Sequence, residues 1–551
     1  MFKPRNIKPS QSETLVIPYQ QCPAKTYIGP YGNKELGRDV FEHCQIVGSI
    51  AAELVARMPF FVRNTLFPEG SSLVAACHDI GKVSPTFAKK IFSNTSGWKL
   101  EQTHALKGTN AELEKGWGGH AGVSQVAAKF LAADEYIPEI LGQHHGFAPS
   151  FDIYRADAEV FGGNKWQQQR ELLVNALKVA FNCDWPSINN FEQARAIAGL
   201  TTVSDWIGSG DFFEDPKLDW HPKIKQDVDD AGFTPLNVRS SLSFSDVFLF
   251  NPHLAQTQLI SQVKKPGVYI LEAPMGMGKT EAALYAAYNL LTEGQASSIY
   301  FALPTQLTSN KIHERFNVFL KKILDENCHH RRSLSLHGSA WLLEETEMSE
   351  DGQPGGAWFS SNKRGLLAPF AVGTIDQALM AVMNVKHGFV RAFGLAGKVV
   401  ILDEVNTYDA YTGTILDALV KGLRQLQCTV MILTATLNQN RRQSLLGCPV
   451  VKEAYPLISA LANNGSLSEH AVKVTSRQHL IIRLESDERI ALEEAINRAE
   501  QGQQVLWIDN TVKEAQHRYF DLAARCSELV IECGLLYSRF TAAHRQTNED
   551  K

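Results

Sequence analysis

The chain has 551 residues, a mass of 61.1 kDa and a formal net charge of −5. Its length exceeds what one hydrophobic core supports and predicts roughly three to four domains. Its 54 Lys and Arg against 59 Asp and Glu exclude a chain that binds nucleic acid over its whole surface, but leave a local basic groove possible. An apolar fraction of 44% argues against extended disorder.

Neither a signal peptide nor a membrane-spanning stretch is expected. Residues 1–21 carry scattered charges without a continuous apolar core. No run reaches the roughly 18 to 20 apolar residues that a bilayer requires. The nine cysteines contain no C-x-x-C pair, which favours a reducing compartment. We therefore expect a cytoplasmic protein with no membrane partner.

Two kinds of pattern divide the chain near residue 250. Before it, apolar residues recur at helical spacing, as they do from Val40 to Met58. After it, short apolar runs alternate with helix-length segments, which is typical of parallel β-α-β units. A first series predicts strands at Val268–Ala273, Ser298–Leu303, Phe370–Gly373, Val399–Leu402 and Thr429–Leu433. A second series predicts strands at Leu480–Leu484, Gln504–Ile508 and Leu529–Leu536.

The predicted fold class is therefore multidomain, with an α-helical domain followed by α/β lobes. We place the helical domain at residues 1–215 and a linker at 216–250. The first α/β lobe is predicted at 251–460 and the start of a second at 461–551. Because a parallel lobe usually needs more strands than the second series supplies, this second lobe is predicted to be incomplete.

Histidines and aspartates lie on otherwise apolar helical segments of the first domain. Burying such a group costs several kcal/mol unless it is paired or binds a metal ion. Imidazoles and carboxylates inside a helix bundle are a recognised metal site. A satisfied core or surface histidine is an alternative for any single residue, but a weak one for the whole set. The predicted metal ligands are His43, His78, Asp79, His120, His144, His145 and Asp205.

Asp79 and Lys82 are the predicted catalytic residues of this domain. The two oxygens of Asp79 could bridge two ions, with neutral imidazoles filling the remaining positions. Two ions roughly 3.5–4 Å apart can clamp a phosphodiester and lower the pKa of a bound water for in-line attack. Lys82, three residues further on, is expected near Asp79, where it could neutralise a phosphate oxygen. The ligand set resembles the HD-domain metal-dependent phosphohydrolases over residues 43–209.

A phosphate-binding loop follows the first strand of the α/β pattern. Residues 272–280 read Glu-Ala-Pro-Met-Gly-Met-Gly-Lys-Thr and lead into a predicted helix. Backbone N–H groups around Gly276 and Gly278 would cradle phosphates. Lys279 would reach the β- and γ-phosphates, and Thr280 would hold Mg²⁺. Ala273 stands where the general pattern has its first glycine.

Further residues complete a predicted site for ATP with Mg²⁺. The strand at Val399–Leu402 ends in Asp403, predicted to bind Mg²⁺, and Glu404, predicted to activate the attacking water. Pro252 with Gln256 resembles a weak adenine-reading motif.

Loops after other strands are predicted to bind a nucleic-acid strand through its phosphates, without reading sequence. The predicted contacts are Thr305, Gln306, Thr374, Thr434 and Thr436. Each segment alone could be an ordinary loop, but their order resembles that of superfamily-2 helicases, whose lobes are RecA-like.

The two sets together resemble the CRISPR-associated helicase–nuclease of type I systems, from residue 35 to about 545. The resemblance implies a metal-dependent single-stranded DNA endonuclease holding two divalent transition metals, which could be Fe, Mn, Co or Ni. It also implies an ATP-dependent 3′-to-5′ DNA translocase or helicase, recruited by the guide-RNA Cascade complex to degrade invading DNA. A monomer is expected. The phrases that carry the resemblance are His78-Asp79-Ile80-Gly81-Lys82, His144-His145-Gly146, Gly373-Thr374-Ile375-Asp376-Gln377 and Asp403-Glu404-Val405.

Three departures from the family pattern stand out. Asn406 replaces the histidine of the usual Asp-Glu-Val-His box, and Tyr537 begins a phrase in which histidine is common. The later motor motifs of the family, including the arginine finger, are not found among the 551 residues. Only the first part of the family's second lobe is recognised in the sequence. Because such an arginine is worth about 10³–10⁵ in rate, we expect an impaired motor.

Two other functions compete with this one. The first is an HD-type nucleotide phosphohydrolase regulated by its appended lobes, which would prefer free dNTPs to a long circular single strand. The second is a DNA- or Cascade-docking module with an inactive ATPase, in which Lys279→Ala would leave every measurable activity unchanged.

Overall fold

The computed structural model falls into two compact units, residues 1–473 and 474–551, which are described separately. The residues it describes are 16–95, 106, 109–110, 112–131, 133–146, 158–304, 309–336, 359, 364–405, 410–463, 465–472, 481–537, 539–540, 544 and 548.

The first part of unit one is helical, as predicted. Short 3-10 turns at Tyr19–Gln21, Cys77–Lys82 and Asp211–Phe213 and a small antiparallel hairpin, β1 (Thr26–Ile28) and β2 (Lys34–Leu36), complete it. The helices are α1 (Val40–Ala56), α2 (Phe60–Leu66), α3 (Ser71–Ala76), α4 (Pro85–Phe92), α5 (Leu113–Gly116), α6 (His120–Phe130), α7 (Ile137–Gly142), α8 (Ala158–Phe161), α9 (Gly163–Phe181) and α10 (Phe191–Gly208).

Helix α1 shows how the sequence specifies this bundle. The Asp39 carboxylate accepts a hydrogen bond from the Glu42 amide at 2.8 Å and so caps the helix N-terminus. The predicted apolar stripe, which includes Cys44 and Val47, is buried. His43 follows that stripe into the interior, with only 2% of its surface exposed. The helix therefore carries an ionisable ring into the core.

Residues 216–250 do not form the predicted linker. They contain helix α11 (Lys223–Asp230) and helix α12 (Phe244–Phe248). Ile224 and Val228, four positions apart, are both buried because they share one face of α11. The segment is therefore part of the packed unit.

A sheet of eight strands, ordered β10-β9-β3-β8-β7-β4-β6-β5, forms the rest of unit one. The six strands from β3 to β5 in this order are parallel, which confirms the predicted β-α-β pattern and every strand of the first series. Its strands are β3 (Gly267–Glu272), β4 (Ile299–Leu303), β5 (Leu334–Leu336), β6 (Phe370–Thr374), β7 (Val399–Asp403), β8 (Thr429–Thr434), β9 (Leu457–Ala462) and β10 (Ser468–Ala471). Its helices are α13 (Leu254–Gln262), α14 (Lys279–Thr292), α15 (Ser309–Ile323), α16 (Ile375–Leu379), α17 (Gly388–Leu395), α18 (Ala410–Gln425) and α19 (Gln439–Leu446), with a 3-10 turn at Gly365–Leu367.

Strand β9 crosses the predicted boundary between residues 460 and 461. It pairs antiparallel with β3, and β10 pairs antiparallel with β9. The side chain of Leu461 is buried in the sheet. Residues 461–471 are therefore hydrogen-bonded into the first sheet rather than into a second lobe.

Unit two contains helices α20 (Glu488–Glu500) and α21 (Val512–Glu528). The strands predicted at Gln504–Ile508 and Leu529–Leu536 are wrong for the residues described, as is the described part of Leu480–Leu484, whose first residue lies outside them. Their apolar side chains have no neighbouring strand to pack against: Leu506 is 83% exposed and Ile482 is 77% exposed. An alternating pattern becomes a strand only where a hydrogen-bonding edge is available.

Among the described helices, none combines the length and apolarity needed to cross a bilayer.

Helix α10 and helix α17 approach each other closely at Gly199. A Cβ atom at this position would lie 2.3 Å from the Phe393 Cβ and 2.7 Å from the Phe389 carbonyl oxygen. We expect Gly199→Val to destabilise unit one by about 2 to 3 kcal/mol, because the added carbons overpack a backbone contact. Chemical denaturation followed by circular dichroism measures this. Gly116→Ala, where a Cβ meets nothing within 4 Å, is the control. Equal midpoints for the two variants would contradict the expectation.

Candidate metal centre and nucleotide pocket

Five elements bring the seven predicted metal ligands together in the helical domain. Asp79 departs from helical geometry, with φ −107° and ψ 18° inside the 3-10 turn, and so points its carboxylate into the bundle. The ligands come from α1 (His43), the turn at Cys77–Lys82 (His78 and Asp79), the first residue of α6 (His120), the turn after α7 (His144 and His145) and α10 (Asp205).

Asp79 lies at the centre of the cluster. Its Oδ2 is 3.1 Å from His43 Nε2 and 3.0 Å from His78 Nε2. Its Oδ1 is 3.1 Å from His120 Nε2 and 3.6 Å from His144 Nε2. The two carboxylate oxygens thus face two different pairs of imidazoles.

The ligand atoms form two groups, and within each the atoms lie within 4.8 Å of one another. Asp79 belongs to the first group, and its Oδ1 faces the second. The first group is His43, His78, Asp79 and Asp205, and the second is His120, His144 and His145. This is the arrangement expected of a carboxylate that bridges two cation sites.

Two of the rings are fixed by hydrogen bonds to backbone carbonyl groups. His78 Nδ1 donates to the Ala75 carbonyl at 2.9 Å, and His144 Nδ1 donates to the Leu141 carbonyl at 2.6 Å. Their Nε2 atoms therefore face the site, where each can bind a cation once it carries no proton. Both Nε2 atoms are buried and make no directional hydrogen bond. Divalent cations would satisfy both, so the residues present fit a metal centre.

Burial keeps most of these imidazoles neutral. It lowers the pKa of His43 to about 3, with a further contribution from the Lys82 charge. It also lowers the pKa of His144 to about 4 and that of His145 to about 4. Neutral imidazole is the form that binds metal ions.

The charged members of the cluster, His78 on one side and Asp79 and Asp205 on the other, stabilise one another. Burial opposes ionisation of Asp79, but His78 and Lys82 hold the pKa of its carboxyl well below the usual range. Burial likewise opposes protonation of His78, but Asp79 and Asp205 raise its pKa to about 9. Lys82 Nζ lies 2.6 Å from Asp79 Oδ2, at the position the sequence predicted.

The phosphate-binding loop joins β3 to α14. Gly276 and Gly278 adopt positive φ angles of 78° and 65°, which a glycine turn allows without strain. Lys279 Nζ donates to the Ala273 carbonyl at 2.7 Å and to the Pro274 carbonyl at 3.1 Å, so it lies across the loop. Gln256 Nε2 donates to the Gly278 carbonyl at 2.9 Å.

A pocket of about 440 Å³ opens over this loop. Burial and the neighbouring Glu404 carboxylate raise the pKa of Asp403 to about 6. Two carboxylates close together create a negative potential that attracts a cation. Burial lowers the pKa of Lys279. The pocket brings together all the predicted nucleotide-site residues, namely Gln256, Gly276, Gly278, Lys279, Thr280, Asp403 and Glu404.

Sequence reasoning missed several residues here. Arg315 on α15 lines the pocket and forms an ion pair with Glu281, but no local pattern connects it with the loop. Phe250 and His253 also line the pocket. The Glu272 carboxylate accepts from the Leu437 amide at 3.0 Å, tying the end of β3 to the segment after β8.

The structure separates the predicted nucleic-acid contacts. Thr436 is exposed, whereas Thr434 is fully buried and donates to the Thr436 carbonyl at 3.2 Å. Thr374 caps the start of α16 and is 8% exposed. Thr305, Gln306 and Asn406 lie outside the described residues.

Comparisons with known proteins find two family matches along the chain. Residues 39–213 match the family model for the Cas3 HD domain, and residues 253–444 match that for the DEAD/DEAH box helicase. The CRISPR-associated endonuclease/helicase Cas3 of Thermus thermophilus is 32% identical over 421 residues, covering 68% of this chain and 45% of that protein. The CRISPR-associated nuclease/helicase Cas3 of Streptococcus thermophilus is 30% identical over 569 residues, covering 89% of this chain and 60% of that protein.

A solved structure shows the same fold. The crystal structure of T. fusca Cas3-ADP matches with a TM-score of 0.76 and 26% identity, covering 97% of this chain and 67% of that one. The chain spans about half of the first curated relative and three fifths of the second. The chain thus carries an HD domain followed by a helicase domain and is similar over most of its length to CRISPR-associated Cas3 nuclease/helicases.

Proposed function

We propose that the chain is a CRISPR interference effector that combines a metal-dependent single-stranded DNA endonuclease with an ATP-dependent DNA motor. The observation that carries the proposal is the position of Asp79, whose two oxygens face two groups of imidazoles. We assign the nuclease to the helical domain, residues 1–215, and the motor to the α/β part that begins near residue 251.

The metal centre would use the side chains already described. His43, His78 and Asp205 would hold one ion, His120, His144 and His145 the other, and Asp79 both. Imidazole-rich ligation suits Fe, Mn, Co or Ni. Bound divalent ions supply neutralisation of phosphodiester charge and a lowered pKa of coordinated water.

Lys82 is the proposed positioning group for the scissile phosphate. Its ammonium group lies beside Asp79 and is largely buried, so it is held against the metal cluster rather than in solvent. There it can donate a hydrogen bond to a phosphate oxygen and balance its charge without needing to move far. Asp79 and Lys82 are thus the catalytic residues of the nuclease in this proposal.

The motor site would hold ATP with Mg²⁺. Lys279 would release the carbonyl groups it now contacts and reach the phosphates, while Thr280 and Asp403 would hold Mg²⁺. Glu404 would orient the attacking water, and Gln256 would read adenine.

Single-stranded DNA is the proposed track, followed from 3′ to 5′. Hydroxyl and backbone groups of the strand-end loops would contact its phosphates. The burial of Thr434 favours an indirect role for that residue, in which its hydroxyl holds the loop that presents Thr436. The proposed contacts are Thr305, Gln306, Thr374, Thr434 and Thr436.

The proposed partner is the guide-RNA surveillance complex, Cascade, since the relatives are named CRISPR-associated. We propose that the chain works as a monomer in the cytoplasm.

Asp79→Asn tests the nuclease. The substitution replaces one carboxylate oxygen by an NH2 group, which cannot bind a cation. It also removes the negative charge that both ion sites would share. We expect the rate of metal-dependent cutting of circular single-stranded DNA to fall more than about 100-fold. This loss exceeds the one that follows from substituting a residue that only supports a metal ligand. Nicking by chain stripped of metal and reloaded with Mn(II), assayed without ATP, measures this.

Asp211→Asn, at an exposed position of the same domain, should cut like the unchanged chain. If the unchanged chain cuts no DNA with any metal but hydrolyses free dNTPs, the nucleotide phosphohydrolase replaces the nuclease.

Lys279→Ala tests the motor separately. Loss of the ammonium group from the phosphate-binding loop should weaken ATP binding by more than about tenfold, because a charge-assisted contact with phosphate is lost. Titration with a fluorescent ATP analogue measures the affinity. Cutting of circular single-stranded DNA without ATP should be unchanged.

Lys265→Ala, at an exposed lysine just before β3, is the matched control for Lys279. Equal ATP affinity in Lys279→Ala and the unchanged chain would favour a docking module with an inactive ATPase.

A further inference from the structure

The helix that carries Asp205 also forms the contact surface with the motor domain. Helix α10 packs lengthwise on α17, and Gly199 lets the backbones approach until a Cβ would meet the Phe389 carbonyl at 2.7 Å. Asp205 lies further along the same helix. The position of this ligand therefore depends on an element of the motor.

The residue just before α17 contacts the helix beside that ligand. His387 is 4% exposed, and its ring lies 5.5 Å from the ring of Trp206 at an interplanar angle of 61°. Arg364, also from the motor domain, places its guanidinium 4.7 Å from the centre of the Trp206 ring. Trp206 follows Asp205 directly in sequence, so both contacts constrain the ligand's own helix turn.

The same segment also contacts the turn that carries His144 and His145. The His387 amide donates to the Gly146 carbonyl at 3.4 Å. Gly146 has a φ of 128°, and a Cβ there would lie 2.6 Å from Lys386 Cε, so only glycine fits beneath the lysine side chain. The backbone next to His145 is thus held from the motor side.

A third contact joins the two ligand-bearing elements to each other. Thr202 Oγ1 on α10 donates to the His144 carbonyl at 3.3 Å. One segment, Lys386–His387, therefore contacts both the Asp205 helix and the His144–His145 turn, and these two elements supply ligands to different ion sites.

The segment is continuous with a proposed DNA contact. Thr374 at the end of β6 starts α16, and the chain then runs through residues 380–385 to His387. We propose that His387 is a positioning residue of the nuclease centre, through which the motor domain holds the ligands of both ion sites in register. This inference rests on the proposed metal-dependent nuclease.

His387→Asn is the decisive variant. His387 has a φ of 58°, a left-handed conformation that asparagine tolerates, so the backbone is kept while the ring contacts with Trp206 and Phe389 are removed. We expect the affinity of the metal-stripped chain for Mn(II) to fall about tenfold. This is the smaller of the losses that are typical when a residue supporting a metal ligand is substituted. Isothermal titration with Mn(II) alone measures it, and ADP affinity should stay within about twofold because the phosphate-binding loop is untouched.

His330→Asn is the matched control. His330 is a buried histidine of the motor domain that hydrogen-bonds with Thr234 rather than with a ligand-bearing element. It should lower stability without lowering Mn(II) affinity. If His387→Asn, like His330→Asn, lowers stability without lowering Mn(II) affinity, His387 has only a structural role and the proposal is overturned.

Trp206→Leu removes the same ring contact from the other side and should by itself lower Mn(II) affinity, so it serves as the test if His387→Asn does not fold. Where both variants fold, their effects on Mn(II) affinity should combine less than additively, because both remove the contact between these two rings. Full additivity would overturn the role of the pair. If the unchanged chain binds no Mn(II), the proposed nuclease fails as well. If the unchanged chain binds Mn(II) and His387→Asn binds it with the same affinity, only this inference is rejected.

Discussion

A buried carboxylate surrounded by imidazoles is the constraint on which this chain depends. Asp79 is 2% exposed, and an isolated charge at that depth would cost several kcal/mol. It stays ionised because Lys82 and His78 lie within 3.0 Å of its Oδ2. The helical domain is thus built around a charge that its own residues balance. The imidazoles of His43 and His144, which also face it, remain neutral and available to cations.

The sequence predicted this centre well because each ligand is recognisable on its own element. His43 follows an apolar stripe into the core, and His78-Asp79 follows another apolar run, so burial could be read from periodicity. The parallel strands β3, β4, β6, β7 and β8 were equally legible, since strands buried on both faces are continuous apolar runs. The phosphate-binding loop was identified because its chemistry is local in sequence.

Features that depend on distant partners could not be predicted. Arg315 reaches the nucleotide pocket from another helix, and Glu272 bonds to an amide 165 positions away. Leu506 and Ile482 alternate as a strand would, but they have no edge to pair with in the residues described. Residues 216–250 looked like a linker because the few apolar residues of α11 give little signal without the surface they cover. The spacing of apolar residues shows which side of a helix or strand is apolar, but it does not identify the residues that pack against that side.

The boundary at residue 215 separates chemical roles but does not separate folding units. Phe389 and Phe393 on α17 are each at most 5% exposed, and α10 of the helical domain packs against that helix. Cutting the chain between the two domains would expose these rings and leave Gly199 facing solvent. Apolar burial of this kind is worth roughly 1.5–3 kcal/mol for each large side chain. Both domains therefore share one core, and the helix α10 that carries Asp205 is held by a surface to which the α/β part contributes. In such an arrangement the geometry of the cluster around Asp79 is a property of the whole unit, and a change in the α/β part can alter it without touching a proposed ligand.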